Sequence, residues 1–153
     1  MEFLQYIPKT DLARKTRQVL KAVQRGQTAI IESHGQPEAA IMDIIDYRIL
    51  RAVMRFHAHK LEVDLVQGLS LAAFETLQGP QTQYDYVLAY YLQEGISLAR
   101  AAELLGLPWL DLRTRFLRLD VPVLTDPESP EGVLDELKSY QQWEASHDQP
   151  DLS

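Results

Sequence analysis

The sequence predicts an α+β protein: an N-terminal strand-helix-hairpin-helix dimerisation domain, then an all-helical module with helix-turn-helix character. Three observations carry this. β-rich runs lie near residues 3–7, 28–33 and 37–42, with one helical repeat between the first two. The remainder reads as successive short helices. Charge also changes sign along the chain: residues 1–60 hold ten Lys/Arg against six Asp/Glu, whereas residues 61–153 hold five against sixteen.

Phe3, Leu4, Tyr6 and Ile7 form a short apolar run, enough for one strand. Pro8 interrupts it, and Thr10 is the expected N-cap of the first helix, with Asp11 in the first turn where a negative charge suits the helix dipole. Leu12, Thr16, Val19, Leu20 and Val23 recur at helical spacing and are the expected core face. Arg14, Arg17, Lys21 and Arg25 share another face, which by spacing alone reads as a solvated charged face or as a binding stripe. Gly26 ends the helix. Residues 28–33 are rich in β-formers, His34-Gly35 is a turn signal, and residues 37–42 return as a second strand. Pro37, which lacks an N–H, belongs at that strand's start or on an edge. Asp43 or Asp46 then caps a helix expected to run from about Tyr47 towards Val66.

The run from Lys9 to Thr16, with Val19-Leu20, Val23, Gly26, Ile30-Ile31, His34-Gly35, Pro37, Ala39-Ala40-Ile41 and Tyr47, resembles the Phd/YefM family of bacterial antitoxins over roughly the first third of the chain. The resemblance implies a homodimer whose N-terminal half binds operator DNA and whose C-terminal segment wraps and inhibits a toxin. The DNA-contacting residues implied here are Lys9, Thr10, Arg14, Lys15, Arg17, Lys21 and His34. One departure stands out: where family members often carry basic residues flanking the hairpin turn, this chain has Ser33 and Gln36.

The helix after Asp46 carries Ile49, Leu50, Val53, Met54, Phe56, Leu61 and Leu65 on a wide apolar stripe, expected to pack across a dimer. His57 and His59, two apart, diverge on a helix and are not expected to bind metal. Ser70 caps a short helix, and Gln78 to Gln83 reads as a linker. Tyr84, Val87, Leu88, Tyr91 and Leu92 form the next apolar stripe, closed by Gly95. Tyr84, Tyr86, Tyr90 and Tyr91 are either core aromatics or platforms for stacking bases. Ser97 caps a helix with Leu98, Ala101, Ala102 and Leu105 inward, Gly106-Leu107-Pro108 is a tight turn, and Trp109 to Leu119 forms a further helix.

The stretch from Glu94 to Gly106 thus reads as a helix-turn-helix. Continued to Val121-Pro122-Val123, it resembles a second small family of bacterial and archaeal proteins, often encoded beside PIN-type ribonuclease toxins and regarded as antitoxins. In a DNA-reading version the second helix would offer Arg113, Arg115 and Arg118; otherwise the module is a packing unit with this geometry.

Residues 120–153 carry nine Asp/Glu against Lys138 alone. Val133, Leu134, Leu137, Tyr140 and Trp143 outline an amphipathic helix, suited either to a groove on a basic protein or to docking on its own domain. Leu134, Leu137, Tyr140 and Trp143 are the expected toxin contacts.

The expected segments are therefore 1–66 for DNA binding and dimerisation, 67–82 as linker, 83–125 as the helical module and 126–153 as the acidic tail. With no cysteine, disulfides and thiolate metal sites are excluded. No apolar run approaches the ~20 residues of a membrane span, and the N-terminus lacks a signal-peptide pattern, so a soluble cytoplasmic protein without cofactor is expected. No phosphate loop, nucleophile elbow or paired-histidine metal motif points to an enzyme. The leading expectation is an antitoxin that binds operator DNA and a ribonuclease-type toxin. The rival is a protein–protein adaptor or transcriptional regulator with this dimer fold and no toxin partner.

Overall fold

The computed structural model describes residues 4–124 and 141–143. Among the described residues the fold is mixed α+β with one three-stranded sheet. The chain divides into two compact units, Met1–Tyr47 and Arg48–Ser153, a division that does not coincide with the expected segment ends at 66, 82 and 125.

In the first unit, β1 (Leu4–Pro8) runs directly into α1 (Lys9–Gln24), which crosses to β2 (Thr28–Ser33), parallel to β1. β3 (Gln36–Ile41) pairs antiparallel with β2, giving the order β1-β2-β3. The cap of α1 is Pro8, at φ −60° and ψ 138°, with no side-chain cap bond. Proline's fixed φ and missing N–H let the strand turn straight into the helix. Thr10, the expected cap, is instead the second residue of α1 and exposed.

Side chains alternate across a strand, so the sheet has one covered and one open face. On the covered face Ala29 and Ile31 are buried with Val19 and Val23 of α1, and Ile7, Leu12 and Ile41 pack around them. On the other face Leu4 and Tyr6 are 45 % and 55 % exposed, in register with Thr28 and Ile30. The covered stripe of α1 is narrower than its periodicity suggests: Thr16 and Leu20, expected in the core, are exposed. Three short strands are too narrow to reach them, and the Thr16 hydroxyl donates to the Leu12 carbonyl at 2.8 Å. His34 and Gly35, at φ 53° and 76°, make a two-residue hairpin turn with both central residues left-handed.

The division between units falls inside α2 (Ile44–Ala58). Asp43 caps it, its Oδ2 accepting from the N–H groups of Ile45 at 3.1 Å and Asp46 at 3.4 Å. The helix stops at Ala58, well short of Val66. Beyond it, half-buried Leu61 and Val63 alternate with exposed Glu62 and Asp64, an extended pattern. The Asp64 N–H donates to the Tyr90 hydroxyl at 3.1 Å, and its Oδ1 accepts from Val66 and Gln67, closing a turn. The apolar stripe expected to need a second chain is partly used at home: Ile49 and Ala52 are fully buried, and Leu50, Val53 and Leu61 half-buried.

The second unit is built around α4 (Pro80–Leu92). This helix starts inside the expected linker, with Gly79 as cap at φ 86° and Pro80 in the first turn. Tyr84, Val87, Leu88, Ala89, Tyr90 and Tyr91 are all buried, so the tyrosines at 84, 90 and 91 are core aromatics. α3 (Leu71–Glu75) is capped by the Ser70 hydroxyl, as expected, and buries Phe74. Closing α4, Glu94 takes the left-handed conformation at φ 62° and the Gly95 N–H returns to the Tyr90 carbonyl at 2.8 Å. Gly95 sits in a tight spot: a Cβ there would lie 2.7 Å from Leu65 Cδ2 and 3.2 Å from the Tyr90 carbonyl oxygen, so a larger residue would have to push the Leu65 side chain aside.

α5 (Leu98–Leu105) is capped by the Ser97 hydroxyl and ended by Gly106 at φ 69°. It buries Leu98, Ala101, Ala102 and Leu104, the last in place of the expected Leu105. α6 (Trp109–Arg118) buries Leu112 and Phe116, and the Phe116 ring lies 5.2 Å from that of Tyr91. The Tyr91 hydroxyl donates to the Pro122 carbonyl and accepts from the Leu124 N–H, both at 2.7 Å. Among the described residues no helix is long and apolar enough to cross a membrane.

Replacing a tyrosine by phenylalanine in this core should cost stability in proportion to the bonds lost. Tyr91→Phe strands a carbonyl and an N–H and should cost about 1–3 kcal/mol, more than Tyr90→Phe, which strands one N–H. Urea denaturation of both variants checks the order; equal losses would contradict it.

Candidate nucleic-acid interface

α1 presents the charges of the first unit. Val19 and Val23 fix which side faces the sheet, and at 3.6 residues per turn Arg14, Arg17, Lys21 and Arg25 then fall on the opposite side. All four are exposed. Their electrostatic surroundings differ along the helix. Arg14 Nη2 lies 2.9 Å from Asp11 Oδ1, and Lys15 Nζ lies 3.6 Å from the other oxygen of the same carboxylate. Lys9 Nζ is 3.5 Å from Glu38 on β3. Arg17, Lys21 and Arg25 form no ion pair among the described residues. Among the described residues the cations without an acidic partner therefore sit in the C-terminal half of the helix and at its C-cap.

The expected contacts do not form one cluster. Pro8 is in register with Glu32, so Lys9 and Thr10 start α1 at the same end of the sheet as the His34 turn. Lys21 lies three turns further on, towards the opposite end, because a 16-residue helix spans about 24 Å. The net charge of the unit is also lower than that of the first 60 residues: Met1–Tyr47 holds six Lys/Arg and six Asp/Glu. The surplus of four comes from Arg48, Arg51, Arg55 and Lys60, all in the second unit.

Beside the stripe, Thr16, Arg17, Leu20, Lys21 and Gln24 line an open depression on α1. Leu20 is 45 % exposed within it. The sequence pattern placed Leu20 in the core because Val19 and Val23 have the same period; only the width of the sheet separates them. Arg25, part of the stripe but not among the expected contacts, belongs with Arg17 and Lys21 because it too has no acidic partner among the described residues.

The helix-turn-helix arginines are placed differently. Arg115 is packed down, its side chain 12 % exposed and its Nε 2.9 Å from Asp111 Oδ2. Arg118 is half-buried and also engaged with neighbouring groups. Arg113 is half-buried, without an ion pair among the described residues. The outward side of α6 instead offers Thr114, whose hydroxyl donates to the Leu110 carbonyl at 2.8 Å, and Leu117, 53 % exposed. That is an apolar-leaning face rather than a polar reading face.

Of the expected toxin contacts, Leu134, Leu137 and Tyr140 lie outside the described residues. Trp143 falls in a described helical stretch, 141–143, where it is half-buried. No known family model, curated protein or solved structure matches this chain.

The contrast within α6 is testable by stability alone. Arg115→Ala removes a packed side chain and its ion pair and should lower stability by about 1 kcal/mol or more. Arg113→Ala should stay within about 0.5 kcal/mol of the wild type. Thermal melts of the two variants would show the difference, and indistinguishable curves would refute the packing role of Arg115.

Proposed function

We propose that the chain is an antitoxin: a homodimer that binds operator DNA through its first unit, so regulating its own operon, and neutralises a ribonuclease-type toxin through its acidic C-terminal tail. The DNA half of this reading rests on one observation: Arg17, Lys21 and Arg25 line one exposed face of α1 without an acidic partner among the described residues. Cations so placed are free to neutralise phosphates, releasing counterions as they do. Lys9, Thr10, Arg14, Lys15 and His34 contribute from the other end of the unit. The homodimer is supported by the open sheet face, where Leu4 and Tyr6 need cover. The toxin half is supported by composition. Nine acids against one lysine over residues 120–153 suit a basic, RNA-binding groove, and Leu134, Leu137, Tyr140 and Trp143 supply apolar anchors.

A second reading is a protein–protein adaptor that keeps the dimer and lacks DNA binding. Ser33 and Gln36 in the hairpin, and the exposed Leu117 on α6, favour it. DNA titrations separate the two. For the antitoxin, the Arg17→Ala/Lys21→Ala variant should bind all duplexes more weakly and reduce the salt slope by about two per protomer, about four for the dimer. Arg14→Ala should do less, because Arg14 is already tied to Asp11. A wild-type protein that binds no duplex leaves the adaptor. Loss of binding in Arg113→Ala with none in Arg17→Ala/Lys21→Ala moves the reader to the helix-turn-helix.

Neutralisation is tested by co-expression with the neighbouring gene product. Truncation after Leu124 should abolish protection from the toxin while DNA binding survives. Leu137→Ala with Trp143→Ala should weaken the complex by about 2–4 kcal/mol each, the range of interface anchors. Full protection by the truncated chain would transfer the inhibitory surface to the helices between Tyr84 and Leu119.

A further inference from the structure

We infer that α1 also reads sequence: Leu20, flanked by Arg17 and Lys21 and by Thr16 and Gln24, enters the major groove of duplex DNA and packs against a thymine methyl. The inference rests on the DNA-binding reading of the first unit and adds to it a specificity-determining residue.

The first observation is the exposure of Leu20. It is 45 % exposed next to Val19 at 2 %, so nearly half of this leucine's surface is left open. The second is the company it keeps. The five residues lining the depression are a leucine, a threonine, a glutamine, an arginine and a lysine. Leucine and glutamine are base-reading types, an apolar group for the thymine methyl and Gln for adenine, while Arg17 and Lys21 beside them hold the flanking phosphates that fix the helix in register. Thr16 commits its hydroxyl to the Leu12 carbonyl at 2.8 Å, which leaves its methyl for a partner. The depression is open, which suits a broad groove wall better than a small enclosed ligand.

A second copy is a poor occupant. A two-fold contact centred on Leu20 would set Arg17 and Lys21 of one chain against the same cations of the other, an unfavourable like-charge arrangement. Duplex DNA brings the opposite charge, and its major groove admits a helix. Charge balance adds a reason for base contacts. The first unit is neutral overall and the whole chain carries −7, so phosphate attraction alone gives a weak hold.

The test uses the full chain and a pool of random-sequence duplexes, from which bound sites are enriched and read. The wild type should enrich a motif containing an obligatory thymine, and Leu20→Ala should lose the preference at that position. Alanine keeps helix propensity, and an unchanged circular dichroism spectrum confirms the fold. Replacing that thymine by deoxyuridine removes only the methyl. It should weaken the wild type about fourfold, the worth of one buried methyl group, and leave Leu20→Ala unaffected. Salt-dependent binding without any enriched motif would overturn the inference and leave phosphate binding intact. So would a Leu20→Ala variant that keeps the motif and its sensitivity to deoxyuridine. A change in the mass of the assembly on Leu20→Ala would assign the residue to a protein interface, again overturning it. No duplex binding by the wild type would overturn both this inference and the reading beneath it.

Discussion

Two neighbouring tyrosines buried in one helix constrain the second unit. Tyr90 is 7 % exposed and Tyr91 1 %. A phenol in a core brings a hydroxyl that must be bonded, since an unsatisfied one costs about 1–3 kcal/mol. Consecutive residues point about 100° apart around a helix, so the two hydroxyls cannot share a partner. Each takes an irregular segment instead: residues 61–64 for Tyr90, residues 121–124 for Tyr91. The chain that leaves α2 and the chain that leaves α6 are thereby both fixed to α4. The short helices α3, α5 and α6 fill the space between, with Phe116 against the Tyr91 ring.

What was legible in the sequence follows the range of the interaction. Ser70, Ser97 and Gly106 act within one turn of themselves, and each does what its residue type implies. The His34-Gly35 hairpin is equally local. The length of α2 was not legible, because Leu61 and Leu65 continue its apolar period. Past Ala58 the chain is held instead by a long-range contact, the Asp64 N–H on the Tyr90 hydroxyl 26 residues away in sequence. Thr10 lost the cap to Pro8 because the strand leads into the helix without a loop, and local propensity carries no signal for that. Leu20 was misplaced because periodicity gives the direction of a helix face and not the width of what covers it.

The candidate site divides in the same way. Asp11 beside Arg14 and Lys15 is an i, i+3 and i, i+4 arrangement that the sequence displays openly. Glu38 beside Lys9 crosses from hairpin to helix and is visible only in the fold. Together they separate one basic stripe into a paired N-terminal part and a C-terminal part without ion pairs among the described residues. The sign change along the chain is real, but it does not mark the boundary between folding units. Four cations just past Tyr47 make the first 60 residues look basic, while the unit that carries α1 is neutral.

β3 has a consequence for solubility. It is an edge strand, exposed along nearly its whole length, and an edge with a regular row of free donors is a template for further strands. Here the row is broken. Pro37 has no N–H to offer, and the register shift at Ile31/Glu32 disturbs the ladder beside it. Glu38 adds a charge at the next position. An incoming strand meets an interrupted edge, so the sheet ends at three strands, and crowding many copies together gives β3 little to propagate.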